Sequence, residues 1–365
     1  MSRRRLGILG DGQLAKMLAE AALEMEIEAK IFSVNQESSA QRSGLWAESD
    51  LRKLGEWSDR IVIESEFASF EEVSSDKLFP NKQALSLLRN KLEQKRLCER
   101  LKIPTSPFEE IEATTNLKTL SNETFVFKWA EGGYDGKGTL ISPSEKVLQE
   151  FCEVAFRNRT QVYREERIKF VRELALVSLR SGPDYVFYPL VISEQREGVC
   201  HRVFGPAQAF GLSAALQSQA ESFARKLSES TGLKGCFAIE FFLLEGGELL
   251  LNEIAPRVHN SGHWTQLLGL SSQFHQHLRA CFGEPLLGIS GPRPFGMLNN
   301  LGRSLSIRRD ELPPWAQYID YKKSELRVRR KMGHFNFWLD ELSGLEEGFS
   351  ELEEILNQGE RSNGQ

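Results

Sequence analysis

The residues best suited to chemistry lie in one stretch, Asn252-Glu253-Ile254-Ala255-Pro256-Arg257-Val258-His259-Asn260-Ser261-Gly262-His263-Trp264-Thr265-Gln266. It follows Leu249-Leu250-Leu251, an apolar run that reads as a buried strand. An ordinary core strand closes in turn residues; this one ends in a carboxylate and runs into Arg, two His, Asn and Ser. The Glu253 carboxylate suits a hard divalent cation. Arg257 can take a planar oxyanion in two parallel hydrogen bonds. A second carboxylate, Glu240, is set in the apolar run Ala238-Ile239-Glu240-Phe241-Phe242, on the facing strand of a hairpin that turns at Glu245-Gly246-Gly247. Two carboxylates at cross-strand distance repel unless a cation lies between them, and Mg²⁺ with phosphate oxygens as further ligands fits that arrangement.

Four other blocks carry chemistry. Lys128-Trp129-Ala130-Glu131-Gly132-Gly133-Tyr134-Asp135-Gly136-Lys137-Gly138 places glycines around a turn after a strand that bears a lysine. Such a turn can fold over a triphosphate with its N–H groups inward, or be a surface hairpin. Gly10-Asp11-Gly12-Gln13-Leu14-Ala15 fits the G-x-G-x-x-A pattern between a strand and a helix, whose N-terminus would face a phosphate. A nicotinamide dinucleotide would want an acidic residue about 20 positions on, and Ile31-Phe32-Ser33-Val34-Asn35 offers none. Tyr321-Lys322-Lys323-Ser324-Glu325-Leu326-Arg327-Val328-Arg329-Arg330-Lys331-Met332-Gly333-His334 is rich in cations within an acidic chain. It reads as an anion site or a solvated strand; a nucleic-acid face would want interleaved aromatics. Glu165-Glu166-Arg167-Ile168 with Glu173 is, by itself, a solvated charge run.

Together, and in order over nearly the whole chain, these blocks resemble the N5-carboxyaminoimidazole ribonucleotide synthetases, ATP-grasp carboxylases of purine biosynthesis. The resemblance implies that Gly132, Gly133, Tyr134, Asp135, Gly136, Lys137 and Gly138 form a mobile phosphate loop beside Lys128. It implies an adenine hinge at Glu165, Glu166, Arg167 and Ile168, a ribose ligand at Glu173, and Mg²⁺ on Glu240 and Glu253 with Asn252 in support. Arg257 and His259, with Lys128, become the catalytic groups around bicarbonate and carboxyphosphate. Gly12, Gln13, Leu14, Glu66, Tyr134 and Asp135 would border 5-aminoimidazole ribonucleotide, with Lys323, Arg330 and Lys331 at its 5′-phosphate. A homodimer is implied as well. The chain departs from the family pattern at three places. Lys91 stands for an arginine near ATP, Gln195 for a histidine near the nucleotide, and Glu66-Phe67-Ala68-Ser69 for E-F-E-N. The rivals are an ATP-grasp ligase with another acyl acceptor and a degenerate nucleotide-binding paralogue.

The elements that must position these residues follow from periodicity. Arg4–Leu9, Gln13–Met25 and Ala29–Val34 read as strand, helix and strand, with Leu14, Met17, Leu18 and Ala21 on the buried helix face. Arg60–Ile63 reads as a later strand of the same parallel sheet, and Asn81–Leu101 as one charged helix. Further strands are expected at Phe125–Lys128, Gln161–Tyr163, Leu174–Ser178, Tyr185–Val191, Cys236–Leu244 and Glu248–Asn252, and helices at Glu145–Arg157 and Ser213–Thr231. The expected fold is α/β and α+β: a doubly wound, Rossmann-like pre-ATP-grasp domain (1–95), an ATP-grasp domain (96–290, with a small Gly-loop subdomain at about 115–170), and a small C-terminal domain (291–365) with a basic strand at its centre. At 365 residues, two or three cores are expected. A net charge of -5 argues against non-specific nucleic-acid binding. The 5 cysteines show no CxxC spacing and read as reduced core thiols. No window suits a signal peptide or a membrane span, so a cytoplasmic location is expected.

Overall fold

The computed structural model describes residues 3–35, 37–115, 117, 124–133, 138–289, 291, 293–305 and 307–362. The N-terminal sheet is parallel. Its elements are β1 (Arg5–Leu9), α1 (Gln13–Glu24), β2 (Glu28–Phe32), α2 (Ser39–Arg42), β3 (Ala47–Glu48), α3 (Leu51–Trp57), β4 (Arg60–Ile63) and β5 (Leu78–Phe79), in the order β3-β2-β1-β4-β5. Strand order reverses between β1 and β4, so their carboxyl ends open a crevice of the kind that binds ligands in doubly wound sheets. The expected α1 face, Leu14, Met17, Leu18 and Ala21, is buried.

The expected single helix over Asn81–Leu101 is two: α4 (Lys82–Leu88) and α5 (Lys91–Leu101). Asn90 breaks it, because its side chain accepts the Glu93 N–H at 3.0 Å and caps a new helix. The cap puts Lys91 at a helix start, with its N–H donated to the Ala130 carbonyl at 2.6 Å.

A four-stranded antiparallel sheet follows, built from β6 (Phe108–Ile111), β7 (Phe125–Trp129), β8 (Thr139–Ile141) and β9 (Val162–Glu166), in the order β6-β9-β7-β8. The helix α6 (Glu145–Arg157) covers it through Leu148, Phe151, Cys152 and Ala155, packed on Phe127 and Val162.

The largest sheet contains β10 (Arg172–Ser181), β11 (Asp184–Phe187), β12 (Val191–Arg196), β13 (Val199–Gly205), then after α7 (Ala214–Thr231) β14 (Gly235–Leu243) and β15 (Leu249–Ala255). After α8 (Gln273–Cys281) come β16 (Phe295–Leu301), β17 (Ala316–Asp320), β18 (Lys331–Trp338) and the last helix α9 (Leu345–Ser362). The order is β15-β14-β10-β12-β13-β16-β18-β17, with β11 on β10. The strands after residue 290 therefore extend the central sheet.

Two expectations change here. The run Tyr185–Val191 is not one strand: Pro189 lacks an N–H, and the chain leaves β11 to return as β12. The basic strand is not basic. Residues 322–330 form a loop, and the strand after them, β18, is an interior strand with Met332 to Phe337 all buried. A cationic run cannot lie there without stranding unpaired charge between two packed faces. The cysteines are free thiols, four buried and Cys200 half-buried. Among the described residues no helix is long and apolar enough to cross a membrane.

Candidate active site

Two cavities share part of their lining. The first, about 600 Å³, is lined by Lys91, Lys128, Gly132, Gly133, Glu173, Gln195, Glu240, Asn252 and Glu253. The second, about 650 Å³, occupies the crevice between β1 and β4 and is lined by Gly12, Gln13, Leu14, Glu64, Lys323 and Arg330. Phe67, Arg257, His259, Asn260 and Lys331 line both, so they form the passage from one to the other.

Glu240 and Glu253 are direct cross-strand partners on β14 and β15, as the hairpin required. Immediately beyond them the register shifts, with Phe241 opposite Leu251 and Asn252 as the extra residue. Such a bulge re-aims side chains, and here Asn252 and Glu253 both reach the cavity. Burial, then repulsion from Glu253 and Glu173, pushes the Glu240 carboxyl up to about 7. Burial pushes Glu253 the same way, but Lys91, 3.0 Å from its Oε2, together with Lys128 and His259, leaves that carboxyl below its ordinary value. An ammonium thus already stabilises one member of the pair, which is what a cation between two close carboxylates does. Among the described residues no three His, Cys, Asp or Glu gather as a metal site. The pair fits a cation that takes its other ligands from a bound phosphate.

Lys128, on β7, pairs with the buried Glu165 and lies 3.4 Å from Asn252 Oδ1. Gly132 and Gly133 sit at φ +74 and +73, a region open to glycine at no steric cost. Tyr134, Asp135, Gly136 and Lys137 lie outside the described residues. Gly138 (φ +73) closes the turn against the Trp129 ring. Glu173 lies one residue after the start of β10, and a hydrogen bond from Gln195 partly offsets the upward push of burial on its carboxyl. Glu166 ends β9, Arg167 and Ile168 follow it, none of the three is among the described lining residues, and Glu165 points inward to the lysines instead.

Arg257 does not hold its fork open. Its Nε and Nη2 engage Glu66, the latter at 3.2 Å, and Nη1 donates to the Val258 carbonyl at 3.1 Å. Glu66 accordingly lines the first cavity, not the second where a ribonucleotide contact was expected. His259 donates or accepts through Nδ1 with Ser261 Oγ at 2.9 Å. Burial, then Arg257 and Lys331, drives its imidazole down to about 3, so it is neutral at physiological pH.

The second cavity answers the glycine motif. The helix N-terminus of α1 does not face a phosphate: the Glu64 carboxylate accepts the N–H of Gly12 and of Ala15, each at 2.8 Å. Glycines are needed there because a side chain at Gly10 or Gly12 would strike Glu64. Burial raises the Glu64 carboxyl to about 7. The cations sit opposite. Lys323 donates to the Lys331 carbonyl at 2.8 Å and Arg330 to the Glu325 carbonyl at 3.0 Å, on the loop between β17 and β18. His263, which lines this cavity and stacks on His334 at 4.7 Å, belongs to the polar cluster read from sequence but has no role assigned there, and Glu64 is not singled out from sequence. Glu64 carried one signal, a carboxylate directly at the end of an apolar strand.

A lysine and glycine turn over a cavity, facing paired carboxylates on a large antiparallel sheet, define an ATP-grasp ligase that forms ADP. Consecutive family models agree: a ribonucleotide synthetase pre-ATP-grasp domain over residues 3–91, an ATP-grasp domain over 96–274, and a phosphoribosylaminoimidazole carboxylase C-terminal domain over 296–348. The chain is 33% identical to the N5-carboxyaminoimidazole ribonucleotide synthase of Vibrio cholerae, over 97% of this chain and 96% of that one. The Bacillus subtilis synthase of the same name is 30% identical over 93% and 94%. The crystal structure of the Aspergillus clavatus synthase with ADP and 5-aminoimidazole ribonucleotide superposes with a TM-score of 0.82, at 28% identity and over 98% and 99% of the two chains. The chain belongs to the N5-carboxyaminoimidazole ribonucleotide synthase family.

Proposed function

We propose that the two cavities are the ATP and ribonucleotide halves of one site, which carboxylates the 5-amino group of 5-aminoimidazole ribonucleotide in purine biosynthesis. The observation that supports this most is the shared wall of Phe67, Arg257, His259, Asn260 and Lys331. A bicarbonate oxygen attacks the γ-phosphorus of ATP there, ADP leaves, and carboxyphosphate forms. The 5-amino nitrogen then attacks the carboxyl carbon, phosphate departs, and the nitrogen gives up a proton. Glu240 and Glu253 would hold Mg²⁺, which supplies charge neutralisation to the phosphates. Lys128 and Lys91 hold the phosphoryl oxygens and Glu173 the ribose. The adenine takes backbone groups of Glu165 to Ile168 other than the N–H groups of Glu166 and Arg167, which donate to the Pro107 and Thr124 carbonyls. Tyr134 to Lys137 would close over the reactants and exclude water, since carboxyphosphate hydrolyses.

Lys323, Arg330 and Lys331 take the 5′-phosphate. Glu64 supports that orientation, because a carboxylate on the α1 N-terminus repels a phosphate from the opposite end. Neutral His259, too weak a base to take up the proton itself, can hydrogen-bond the reactants, and Arg257, held by Glu66, stabilises the planar oxyanions with its remaining N–H groups. A homodimer in the cytoplasm completes the reading. The test is ADP release with Mg²⁺, ATP and bicarbonate, with and without the ribonucleotide. Strong stimulation by the ribonucleotide, lost in Glu253→Ala, is expected; ADP release indifferent to it would move the acceptor elsewhere.

A further inference from the structure

Lys95 is a buried cation outside both cavities as described, and the mechanism above does not use it. Its side chain is 1% exposed and that of its partner Glu165 is 4% exposed. The ammonium lies 2.8 Å from Glu165 Oε2, 2.8 Å from Thr105 Oγ1 and 2.7 Å from Ser106 Oγ. Ser106 also donates to Glu165 Oε2 at 2.6 Å. The other carboxylate oxygen, Oε1, belongs to Lys128. One buried carboxylate is therefore divided between two lysines, and only Lys128 also borders the first cavity.

That division has a consequence for nucleotide binding. Lys128 cannot turn its charge to a triphosphate without withdrawing it from Glu165. A buried carboxylate stripped of its only cation is strongly disfavoured, so Glu165 alone would compete with ATP for Lys128. With Lys95 and Ser106 fixed on Oε2, the carboxylate keeps a cation and a donor whichever way Lys128 turns. Burial alone would raise the Glu165 carboxyl, yet Lys128 and Lys95 together hold it at about 2.

We propose that Lys95 is the resident counter-ion of Glu165, a positioning residue that releases Lys128 to the phosphates of ATP. This rests on Lys128 being a phosphate ligand, as proposed above. A merely structural Lys95, one that fastens α5 to Thr105 and Ser106, makes a different prediction, because neutralising Glu165 would not repair its loss.

The experiment measures the KM for ATP, the KM for the ribonucleotide and kcat in Lys95→Met, Lys95→Met/Glu165→Gln and Lys128→Met, with thermal unfolding of each. Lys95→Met is expected to raise the ATP KM about tenfold or more and leave the ribonucleotide KM within about twofold. Adding Glu165→Gln is expected to return the ATP KM to within about threefold of the parent. A parental ATP KM in folded Lys95→Met, or a double variant as impaired as the single, overturns the proposal. If Lys95→Met does not fold, the double variant decides alone: ATP affinity as poor as in Lys128→Met overturns the proposal, and near-parental affinity supports it. Parental ATP affinity in Lys128→Met would overturn the reading of Lys128 itself, a result distinct from a failure confined to Lys95.

Discussion

The two halves of the site are built differently. On the nucleotide side the charged groups stand on strands and a helix start, and each cation meets a carboxylate: Lys91 with Glu253, Lys128 and Lys95 with Glu165. On the ribonucleotide side the cations stand on the loop between β17 and β18, where Lys323 donates to a main-chain carbonyl and Arg330 to another beside the exposed Glu325 carboxylate, while Glu64, at the end of β4, caps the facing helix. The first half is set by packing and exchanges internal partners for ligand. The second is a polarised surface that orients one anion. Arg257 belongs to both: it joins the β4 loop to the β15 end by its pair with Glu66, 191 residues apart.

The largest effect should come from breaking that joint. Arg257→Ala removes the oxyanion donor and leaves Glu66 buried without its cation, and kcat is expected to fall about a thousandfold or more in steady-state assays. Loss confined to one substrate's KM would separate the halves. Next, Arg330→Ala should raise the ribonucleotide KM about tenfold and leave the ATP KM unchanged, since a positioning contact away from the reacting atoms is uniform binding. Parallel rises in both KM values would erase the contrast. Gly138→Ala, at φ +73 and against the Trp129 ring, should weaken ATP binding by about 1–3 kcal/mol, read by calorimetric titration, with the ribonucleotide side spared.

The smallest effect is a pH dependence. The Glu240 carboxyl, raised from 4.5 to about 7, keeps in the folded protein a proton that the unfolded chain has released. Stability of the protein without nucleotide should therefore fall as pH rises from about 4.5 through about 7, and Glu240→Gln should reduce that fall in thermal melts, the Glu64 carboxyl contributing to the remainder. The apparent affinity for Mg-ATP should rise over the same interval, because the cation needs the ionised carboxylate.

How much of this was legible follows from sequence distance. The Gly-rich turn, the Glu240–Glu253 hairpin and the cationic loop are local patterns, and of the residues placed in them from sequence Lys128, Gly132, Gly133, Glu240, Asn252, Glu253, Lys323, Arg330 and Lys331 line the two cavities, while Gly138 does not. The pairs that tune them are not local. Glu66 with Arg257, Glu64 with the α1 N–H groups and Lys95 with Glu165 join separate elements, and no periodicity announces them. The bulge at Asn252 is likewise invisible, since nothing in Leu-Asn-Glu-Ile marks an extra residue. The strand expected over the cationic run failed because composition was read without asking whether the strand was interior.

The central claim is that ATP is spent on bicarbonate at the passage between the cavities, beside the ribonucleotide. The most direct measurement is turnover with ¹⁸O-labelled bicarbonate, reading the phosphate released by mass spectrometry. Label passing from bicarbonate into phosphate, in step with the carboxylated ribonucleotide, is the predicted result. Phosphate released without label while that product forms would contradict it.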